Sequence, residues 1–144
     1  MRHWIELNED RCIACGACAV ACMDENDLDF PVRRCTVTET GEGMTVTVRY
    51  RSESCLHCPD APCMAACPNH CIRRDAQTGF VLCDNAACTG CRRCFGACPV
   101  GAPVFGADGK MFKCHGCHER VKHGLAPACV KVCPMDALGL QSRP

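Results

Sequence analysis

Hydrophobic and polar positions alternate only in short stretches of this chain, and these stretches predict small hairpins and short helices. A strand is predicted over residues 3–7, which read HWIEL. β-Branched or aromatic residues flank glycine-containing turns in three predicted hairpins, at 36–40 with 45–51, 72–74 with 80–82, and 104–105 with 111–112. Short helices are predicted at 17–23, 64–66, 93–97 and 128–132. The pattern therefore predicts an α+β fold made of short elements.

The apolar content is smaller than it first looks. Hydrophobic residues make up 48% of the chain, but 19 of its 144 residues are cysteine. Leu, Ile, Val and Phe together supply only 26 residues, or 18% of the chain. An ordinary hydrophobic core becomes doubtful below about 20%. Something other than apolar burial must therefore hold this chain together.

Charge and hydropathy exclude several kinds of partner. The chain has 16 basic and 16 acidic side chains, which gives no argument for nucleic acid or an acidic membrane surface. No apolar run approaches the length of a membrane span, so no direct span is expected. The first residues, MRHWIELNEDRC, have no apolar segment typical of a secretory signal. A reducing cytoplasm is the expected location, and export with a signal-bearing partner is the alternative.

Most of the cysteines fall into four blocks of four. The blocks are Cys12, Cys15, Cys18 and Cys22; Cys55, Cys58, Cys63 and Cys67; Cys88, Cys91, Cys94 and Cys98; and Cys114, Cys117, Cys129 and Cys133. Blocks one and three share the spacing C-x2-C-x2-C-x3-C, whereas blocks two and four carry a longer loop before the closing C-x3-C. This internal repeat predicts duplicated units. The remaining three, Cys35, Cys71 and Cys83, are expected to be small buried hydrophobes.

The spacing within the blocks predicts [4Fe–4S] clusters. Cysteines with only two residues between them are poorly placed to bridge each other, but both can hold one metal centre. Zinc is the structural alternative, yet it has no use for the third cysteine of blocks one and three. In two-cluster ferredoxins the fourth cysteine of such a block serves the neighbouring cluster. Proline follows it in Cys67-Pro68, Cys98-Pro99 and Cys133-Pro134, whereas Cys22 is followed by Met23.

Exchange of the fourth cysteine gives a concrete assignment with two nested modules. The predicted sets are Cys12, Cys15, Cys18 and Cys133 (cluster 1); Cys22, Cys114, Cys117 and Cys129 (cluster 2); Cys55, Cys58, Cys63 and Cys98 (cluster 3); and Cys67, Cys88, Cys91 and Cys94 (cluster 4). Residues 1–54 and 99–144 then form an outer ferredoxin-like module, and residues 55–98 form an inner module inserted into it. A serial scheme, which pairs block one with two and three with four, is the alternative.

Charged and aromatic side chains lie beside many of the proposed ligands. An oxidised cube with four thiolates carries a net charge of roughly −2, and this charge must be counted. Basic residues next to ligands either offset it or form a solvated surface: Arg11, Arg92, Arg93, Lys113 and Lys131. Histidine can also bind the iron of a cluster. With sixteen cysteines available, surface roles are expected for His57, His115 and His118.

The blocks resemble those of the four-cluster ferredoxin-like electron-transfer subunits of molybdenum- or tungsten-pterin oxidoreductases. These are subunits of the dimethyl sulfoxide reductase, formate dehydrogenase and polysulfide reductase types. The matching stretches are CIACGACAVAC, CLHCPDAPCMAACP, CTGCRRCFGACPVGAPVF and KCHGCHERVKHGLAPACVKVCPMDAL, which span residues 12–138. The resemblance implies two nested pseudo-symmetric dicluster modules with a line of four [4Fe–4S] clusters.

The expected function is the relay of single electrons between a large pterin-containing catalytic subunit and a second redox partner. The resemblance leaves that second partner open among a flavoprotein, a hydrogenase, a ferredoxin and a membrane subunit. No nucleophile–base arrangement, P-loop or dinucleotide fingerprint is present, so no catalytic residues are predicted on this chain. The alternatives are a freestanding or filament-forming polyferredoxin and, from a different class, a structural zinc module.

Overall fold

The computed structural model describes all 144 residues, Met1–Pro144, as a mixed fold of short strands and short helices. The strands are β1 (Arg2–Leu7), β2 (Arg34–Thr40), β3 (Thr47–Glu53), β4 (Ile72–Arg74), β5 (Val81–Cys83), β6 (Val104–Phe105), β7 (Met111–Phe112) and β8 (Leu138–Arg143). The helices are α1 (Ala17–Glu25), α2 (Pro62–Ala66), α3 (Arg93–Ala97), α4 (His118–Lys122) and α5 (Ala128–Val132). None of these helices combines the length and apolar character needed to cross a membrane.

The strands form four separate antiparallel pairs. Three are the predicted hairpins, β2 with β3, β4 with β5, and β6 with β7, which confirms those predictions. The fourth pairs the two ends of the chain: β1 runs antiparallel to β8, with Ile5 opposite Leu140 and Leu7 opposite Leu138. Strand β1 was predicted, whereas its partner β8 was not, because LGLQSR has no β-branched residue and only a short alternation.

The helices pack in pairs that are distant in sequence. Helix α1 contacts α5, and helix α2 contacts α3. Four of the five helices were predicted, although α1 runs two residues beyond the predicted end and α2 begins two residues before the predicted start. Helix α4 was missed because its single turn, HERVK, has no apolar period that could be read from sequence.

The core is small and consists largely of sulfur and short aliphatic chains. Only 31 of the 144 residues are buried. One cluster contains Ala61, Cys67, Cys71, Ile72, Val81, Cys94 and Met111. The other contains Ile5, Cys18, Cys114, Cys129 and Leu138. Cysteine is part of both clusters, as expected for a chain with so few large aliphatic residues.

Strands β2 and β3 form a two-stranded ribbon that projects from this core. Every residue from 37 to 51 is exposed, whereas Ser52 at its base is buried. Its tip needs a glycine, because Gly41 has φ +103° and a Cβ there would lie 2.5 Å from the Thr45 carbonyl oxygen. The ribbon therefore adds exposed surface and contributes little to the core.

Candidate metal centres

All four cysteine blocks begin with the same loop. In each, the backbone N–H two residues after the first cysteine donates a hydrogen bond to that cysteine's Sγ. The pairs are Ala14 to Cys12 at 3.5 Å, His57 to Cys55 at 3.4 Å, Gly90 to Cys88 at 3.4 Å and Gly116 to Cys114 at 3.3 Å. The repeat seen in the sequence is therefore also a repeat of backbone geometry, and each loop directs an N–H group at a sulfur.

The donor residues of these loops have left-handed backbones. Glycine fills the position in blocks three and four, but Ala14 has φ 51° and His57 has φ 48°. A second left-handed residue stands just before the following helix in each block, as the N-cap of α1, α2, α3 or α4: Gly16, Ala61, Arg92 and Cys117. Non-glycine residues adopt this conformation at a cost of roughly 1–2 kcal/mol, and such strain clusters at functional sites.

The fourth cysteine of three blocks ends a short helix. Cys67, Cys98 and Cys133 are the C-caps of α2, α3 and α5, where the following proline cannot continue the helix. The chain then turns back, so that the N–H groups of Ala102 and Ala137 each lie 3.3 Å from the sulfur of Cys98 and Cys133 respectively.

Block one departs from this arrangement at Met23. Methionine retains a backbone N–H, so α1 continues through Cys22 to Glu25. The sulfur of Cys22 instead receives a longer hydrogen bond from Asn26 Nδ2, at 3.6 Å. The missing proline therefore changes the hydrogen-bond donor to the sulfur of the fourth cysteine.

Cysteines from different blocks line common hollows. One hollow is lined by Cys12, Cys15, Cys18 and Cys133 together with Cys35, and another by Cys67, Cys88, Cys91 and Cys94 together with Cys71. A third includes Cys22, Cys114 and Cys117. Burial raises the pKa of Cys129 to about 12, and the neighbouring Cys114, Cys117 and Cys22 contribute to that increase. Cys129 also belongs to the same buried cluster as Cys114, so it lies beside this third group.

The remaining predicted ligands lie in the loop before α2 and at the end of α3. Burial raises the pKa of Cys63, and the nearby Cys55 and Cys98 raise it further. Cys58 is half-buried in the same loop, and its carbonyl oxygen accepts a hydrogen bond from Arg74 Nη2 at 2.7 Å. Cys63 lies in α2 and Cys98 ends α3, two helices that pack on each other, and Cys55 lies in the loop before α2.

The donor chemistry of these hollows fits an iron–sulfur cluster. Four block cysteines line a common hollow in two places, and no group of three or more His, Cys, Asp or Glu side chains is arranged to hold a single metal ion. Backbone N–H groups directed at ligand sulfurs are the outer contacts that tune such clusters. Cys12, Cys15, Cys18 and Cys133, for example, would hold one cluster in the hollow that they line.

The three cysteines outside the blocks are packed close to ligands. Cys71 is buried with its Sγ 3.1 Å from that of Cys67, and Cys35 is half-buried with its Sγ 3.6 Å from that of Cys18. Cys83 is half-buried and contacts the Met111 carbonyl oxygen at 3.9 Å. The prediction of buried hydrophobes holds for Cys71 and only in part for the other two. Sequence spacing could not indicate these contacts.

The expectation of surface roles for histidine is wrong for His57. Its side chain is 0% exposed and packs on Phe80 with ring centroids 4.7 Å apart. Nδ1 accepts a hydrogen bond from the Val81 N–H at 3.0 Å, and Nε2 is buried without a partner. Burial lowers the pKa of His57 well below its ordinary value, with a further decrease from Lys113. The ring is therefore a neutral core group between two cysteines.

The basic residues beside ligands divide into two groups. Arg11, Arg92, Arg93 and Lys131 are exposed, as a solvated surface would require, whereas Lys113 is buried. A second buried cation, Arg33, was not singled out from the sequence, because nothing in its neighbourhood distinguishes it from the exposed Arg34.

Comparison with known proteins points to the same chemistry. Residues 46–143, more than half of the chain, match the family model of the 4Fe-4S dicluster domain, and residues 5–22 match that of the 4Fe-4S binding domain. A subunit of the anaerobic dimethyl sulfoxide reductase of Escherichia coli is 38% identical, over 92% of this chain and 69% of the relative.

Two further relatives carry different names. The formate dehydrogenase iron-sulfur subunit of Wolinella succinogenes is 36% identical, over 91% of this chain and 76% of the relative. The thiosulfate reductase electron transfer subunit PhsB of Salmonella typhi is 38% identical, over 91% of this chain and 71% of the relative. The four blocks and these relatives together support four [4Fe–4S] clusters as the cofactors. The chain belongs to the family of [4Fe–4S] ferredoxin-like electron-transfer subunits of molybdenum- or tungsten-pterin oxidoreductases.

Proposed function

We propose that this protein relays single electrons through four [4Fe–4S] clusters, between a molybdenum- or tungsten-pterin catalytic subunit and a second redox partner. One observation carries the proposal: only Cys15 and Cys91 are exposed among the nineteen cysteines. They lie in blocks one and three, which belong to different predicted sets. An exposed ligand brings a cluster close to the surface, so the two residues mark two places where electrons enter and leave. Each cluster, when bound, supplies a one-electron redox centre.

The nested assignment of ligands is part of this proposal. Cluster 1 takes Cys12, Cys15, Cys18 and Cys133; cluster 2 takes Cys22, Cys114, Cys117 and Cys129; cluster 3 takes Cys55, Cys58, Cys63 and Cys98; and cluster 4 takes Cys67, Cys88, Cys91 and Cys94. The hollow shared by Cys12 and Cys133 supports it, and so does the hollow shared by Cys67 and Cys88.

The two-module division follows from the same contacts. The pairing of β1 with β8 and the packing of α1 on α5 both support an outer module of residues 1–54 and 99–144. The packing of α2 on α3 supports an inner module of residues 55–98. The serial alternative would instead require block one to exchange its fourth cysteine with block two.

Paired cysteine variants test the assignment. Nesting predicts that Cys12→Ala with Cys133→Ala removes one cluster, about four of roughly sixteen iron atoms. Cys12→Ala with Cys22→Ala should remove two. The serial scheme predicts two lost clusters for the first pair, so that result would overturn nesting. Anaerobic iron, sulfide and zinc analysis is the measurement, and a wild-type chain with zinc but no sulfide would contradict cluster binding altogether.

The proposed partner follows from the names of the relatives. They are subunits of dimethyl sulfoxide reductase, formate dehydrogenase and thiosulfate reductase, each of which needs electrons to reach or leave a catalytic centre. Affinity purification under anaerobic conditions from the native cell should recover a large pterin-containing subunit. A stable monomer with all clusters and no such subunit would favour the freestanding polyferredoxin. We propose a reducing cytoplasm as the location, because [4Fe–4S] clusters oxidise readily and free thiols persist in reducing compartments.

A further inference from the structure

Two buried cations in this protein have no carboxylate partner. The residues are Arg33 and Lys113, which are 4% and 7% exposed, and neither takes part in any of the ion pairs of the chain. A buried charge without a counter-charge is strongly unfavourable. Since no acidic side chain pairs with either residue, the compensating negative charge must come from something that these residues surround.

Lys113 lies between ligands of two different sets. Its Nζ donates to Cys55 Sγ at 3.6 Å, to the Cys114 carbonyl oxygen at 3.0 Å and to the Val81 carbonyl oxygen. All three protons of the ammonium group are therefore used. Cys55 belongs to proposed cluster 3, and Cys114 to proposed cluster 2. Lys113 thus occupies the contact between the two proposed modules.

Arg33 reaches a third set through a hydroxyl group. Its Nη1 donates to Ser52 Oγ at 3.0 Å and to the Ser52 carbonyl oxygen at 3.3 Å. Ser52 Oγ in turn lies 3.1 Å from Cys18 Sγ, a proposed ligand of cluster 1. With Cys18 as a thiolate, the hydroxyl group is the donor. A continuous chain of hydrogen bonds therefore joins the guanidinium group to a ligand sulfur.

Arg33 also lies close to the ligands of cluster 2. Cys18, at the end of its hydrogen-bond chain, belongs to the same buried cluster as Cys114 and Cys129. Burial lowers the pKa of the Arg33 guanidinium group, but the sulfurs of Cys129, Cys114 and Cys18 more than reverse that change. Two of these three residues belong to cluster 2 and the third to cluster 1. Like Lys113, Arg33 therefore stands beside cysteines of two adjacent sets.

We propose that Arg33 and Lys113 are the internal counter-charges of the cluster chain, Arg33 between clusters 1 and 2 and Lys113 between clusters 2 and 3. The inference rests on the proposed function and its ligand sets. Reduction adds negative charge to a cluster, and a fixed cation within a few ångströms favours the reduced form in a low dielectric. The two residues thereby keep the reduction potentials of clusters 1, 2 and 3 higher than they would otherwise be. Cluster 4, whose ligands neither cation contacts, is the internal reference.

The test is a redox titration of the isolated holoprotein, monitored by electron paramagnetic resonance. Lys113→Gln keeps much of the length and hydrogen-bonding capacity of the side chain but removes its charge. We expect reduction of at least one cluster to become about tenfold less favourable, a fall of 59 mV for one electron. The charged variant Lys113→Arg should keep the wild-type potentials. Lys131→Met is the matched control, because Lys131 also lies beside ligands in sequence but is exposed.

A second pair of variants tests the Arg33 position without removing a buried charge. Ser52→Ala breaks the connection between Arg33 and Cys18, and we expect it to lower the potential of one cluster. Ser54→Ala is its control, since Ser54 is similarly buried but its hydroxyl group donates to the Val32 carbonyl oxygen at 3.3 Å. If the Lys113→Gln protein does not retain its iron, the comparison of Ser52→Ala with Ser54→Ala tests the inference instead.

Unchanged potentials in a fully loaded Lys113→Gln protein, or in Ser52→Ala where only the serine pair can be measured, would overturn the inference. Because these titrations use the isolated chain, their result is independent of whether a catalytic subunit co-purifies. If no catalytic subunit co-purifies but the variants shift the reduction potentials, the proposed role of Arg33 and Lys113 stands. If a catalytic subunit co-purifies but the variants leave the potentials unchanged, only the proposed role of Arg33 and Lys113 is rejected.

Discussion

At the scale of single residues, the loops of the four blocks are the same structure built with different side chains. The position that donates its N–H to the first cysteine is Ala14, His57, Gly90 or Gly116, and all four have positive φ. Gly90 and Gly116 are required by the space around them as well as by their backbone conformation. A Cβ on Gly90 would lie 2.5 Å from the Gly109 carbonyl oxygen, and one on Gly116 would lie 2.5 Å from the Phe80 ring. The same backbone thus has unequal room around it in different blocks.

Exchange of alanine and glycine between equivalent positions should therefore have opposite effects. Ala14→Gly relieves a left-handed alanine and should be neutral or stabilising by about 1 kcal/mol. Gly90→Ala adds both the left-handed cost and a clash with backbone, so it should lose more than about 1 kcal/mol and weaken the loop that holds Cys88. Thermal bleaching of the holoprotein, followed by its visible absorbance, is the measurement. A Gly90→Ala protein as stable as wild type would contradict this loop geometry.

Cys71 should modify a cluster without holding it. With Cys67 as a thiolate, the thiol of Cys71 is the donor in the hydrogen bond between the two sulfurs. Burial raises the pKa of Cys67, but the hydrogen bond from Cys71 helps to lower it below the ordinary value. Cys71→Ala should therefore retain about sixteen iron atoms, whereas Cys67→Ala combined with Cys71→Ala should lose about four. The double variant is needed because Cys71 lies close enough to replace a missing Cys67. Loss of iron from Cys71→Ala alone would show that Cys71 is a ligand.

At the scale of elements, the short helices mainly mark where the chain changes direction and contribute little apolar packing. Helices α2, α3 and α5 have five residues each and end at a Cys-Pro pair. Helix α1 has nine residues because Met23 lets it continue. Such short helices are not stable alone, because the free-energy cost of helix nucleation exceeds the stabilisation that one or two turns provide. They depend on what their cysteines hold.

The β2–β3 ribbon should be dispensable for cluster binding. All of its residues from 37 to 51 are exposed, so replacement of residues 39–48 by Asn-Gly would close the hairpin after the pair Thr38–Arg49 without removing any buried side chain. We expect the shortened protein to retain its full iron content and its bleaching temperature. Loss of clusters would show that the ribbon supports the core. Retained iron with loss of a co-purifying subunit would identify the ribbon as a contact for that subunit.

Sequence predicted most of the elements because they lie beside strong local signals. The turn at Gly41-Glu42-Gly43 and the Cys-Pro pairs mark where the chain changes direction, and the structure follows both. The candidate ligands were also chosen from the sequence, because their spacing repeats, and their role as ligands stays a prediction. Arg33, the burial of His57 and the approach of Cys71 to Cys67 were not accessible. Each depends on tertiary contacts between segments, and no local period or spacing records such a contact.

At the scale of the whole molecule, stability must come from the metal centres. The two apolar clusters contain few large aliphatic side chains, and burial contributes only about 25 cal/mol per Å² of apolar surface. Several non-glycine residues also have strained left-handed backbones. The folded chain therefore needs the free energy of metal binding, which is coupled to folding when the ligands come from distant segments.

Removal of the clusters should unfold the protein. After treatment with an iron chelator and an oxidant under denaturant-free conditions, the far-ultraviolet circular dichroism should lose most of its native signal. Reconstitution with iron and sulfide under reducing conditions should restore it. A control sample given the oxidant without chelator shows whether thiol oxidation is responsible. A native spectrum in iron-free protein would contradict this account.

The pairing of β1 with β8 also constrains how the protein is made. Arg2 leaves the ribosome long before its partner Arg143, because the two paired residues are far apart along the chain. The first strand must therefore wait for its partner long after β4 can meet β5, which becomes possible as soon as residue 83 emerges. We expect the middle of the nascent chain to become ordered first, with the N-terminal cysteines kept from oxidation until β8 has been synthesised.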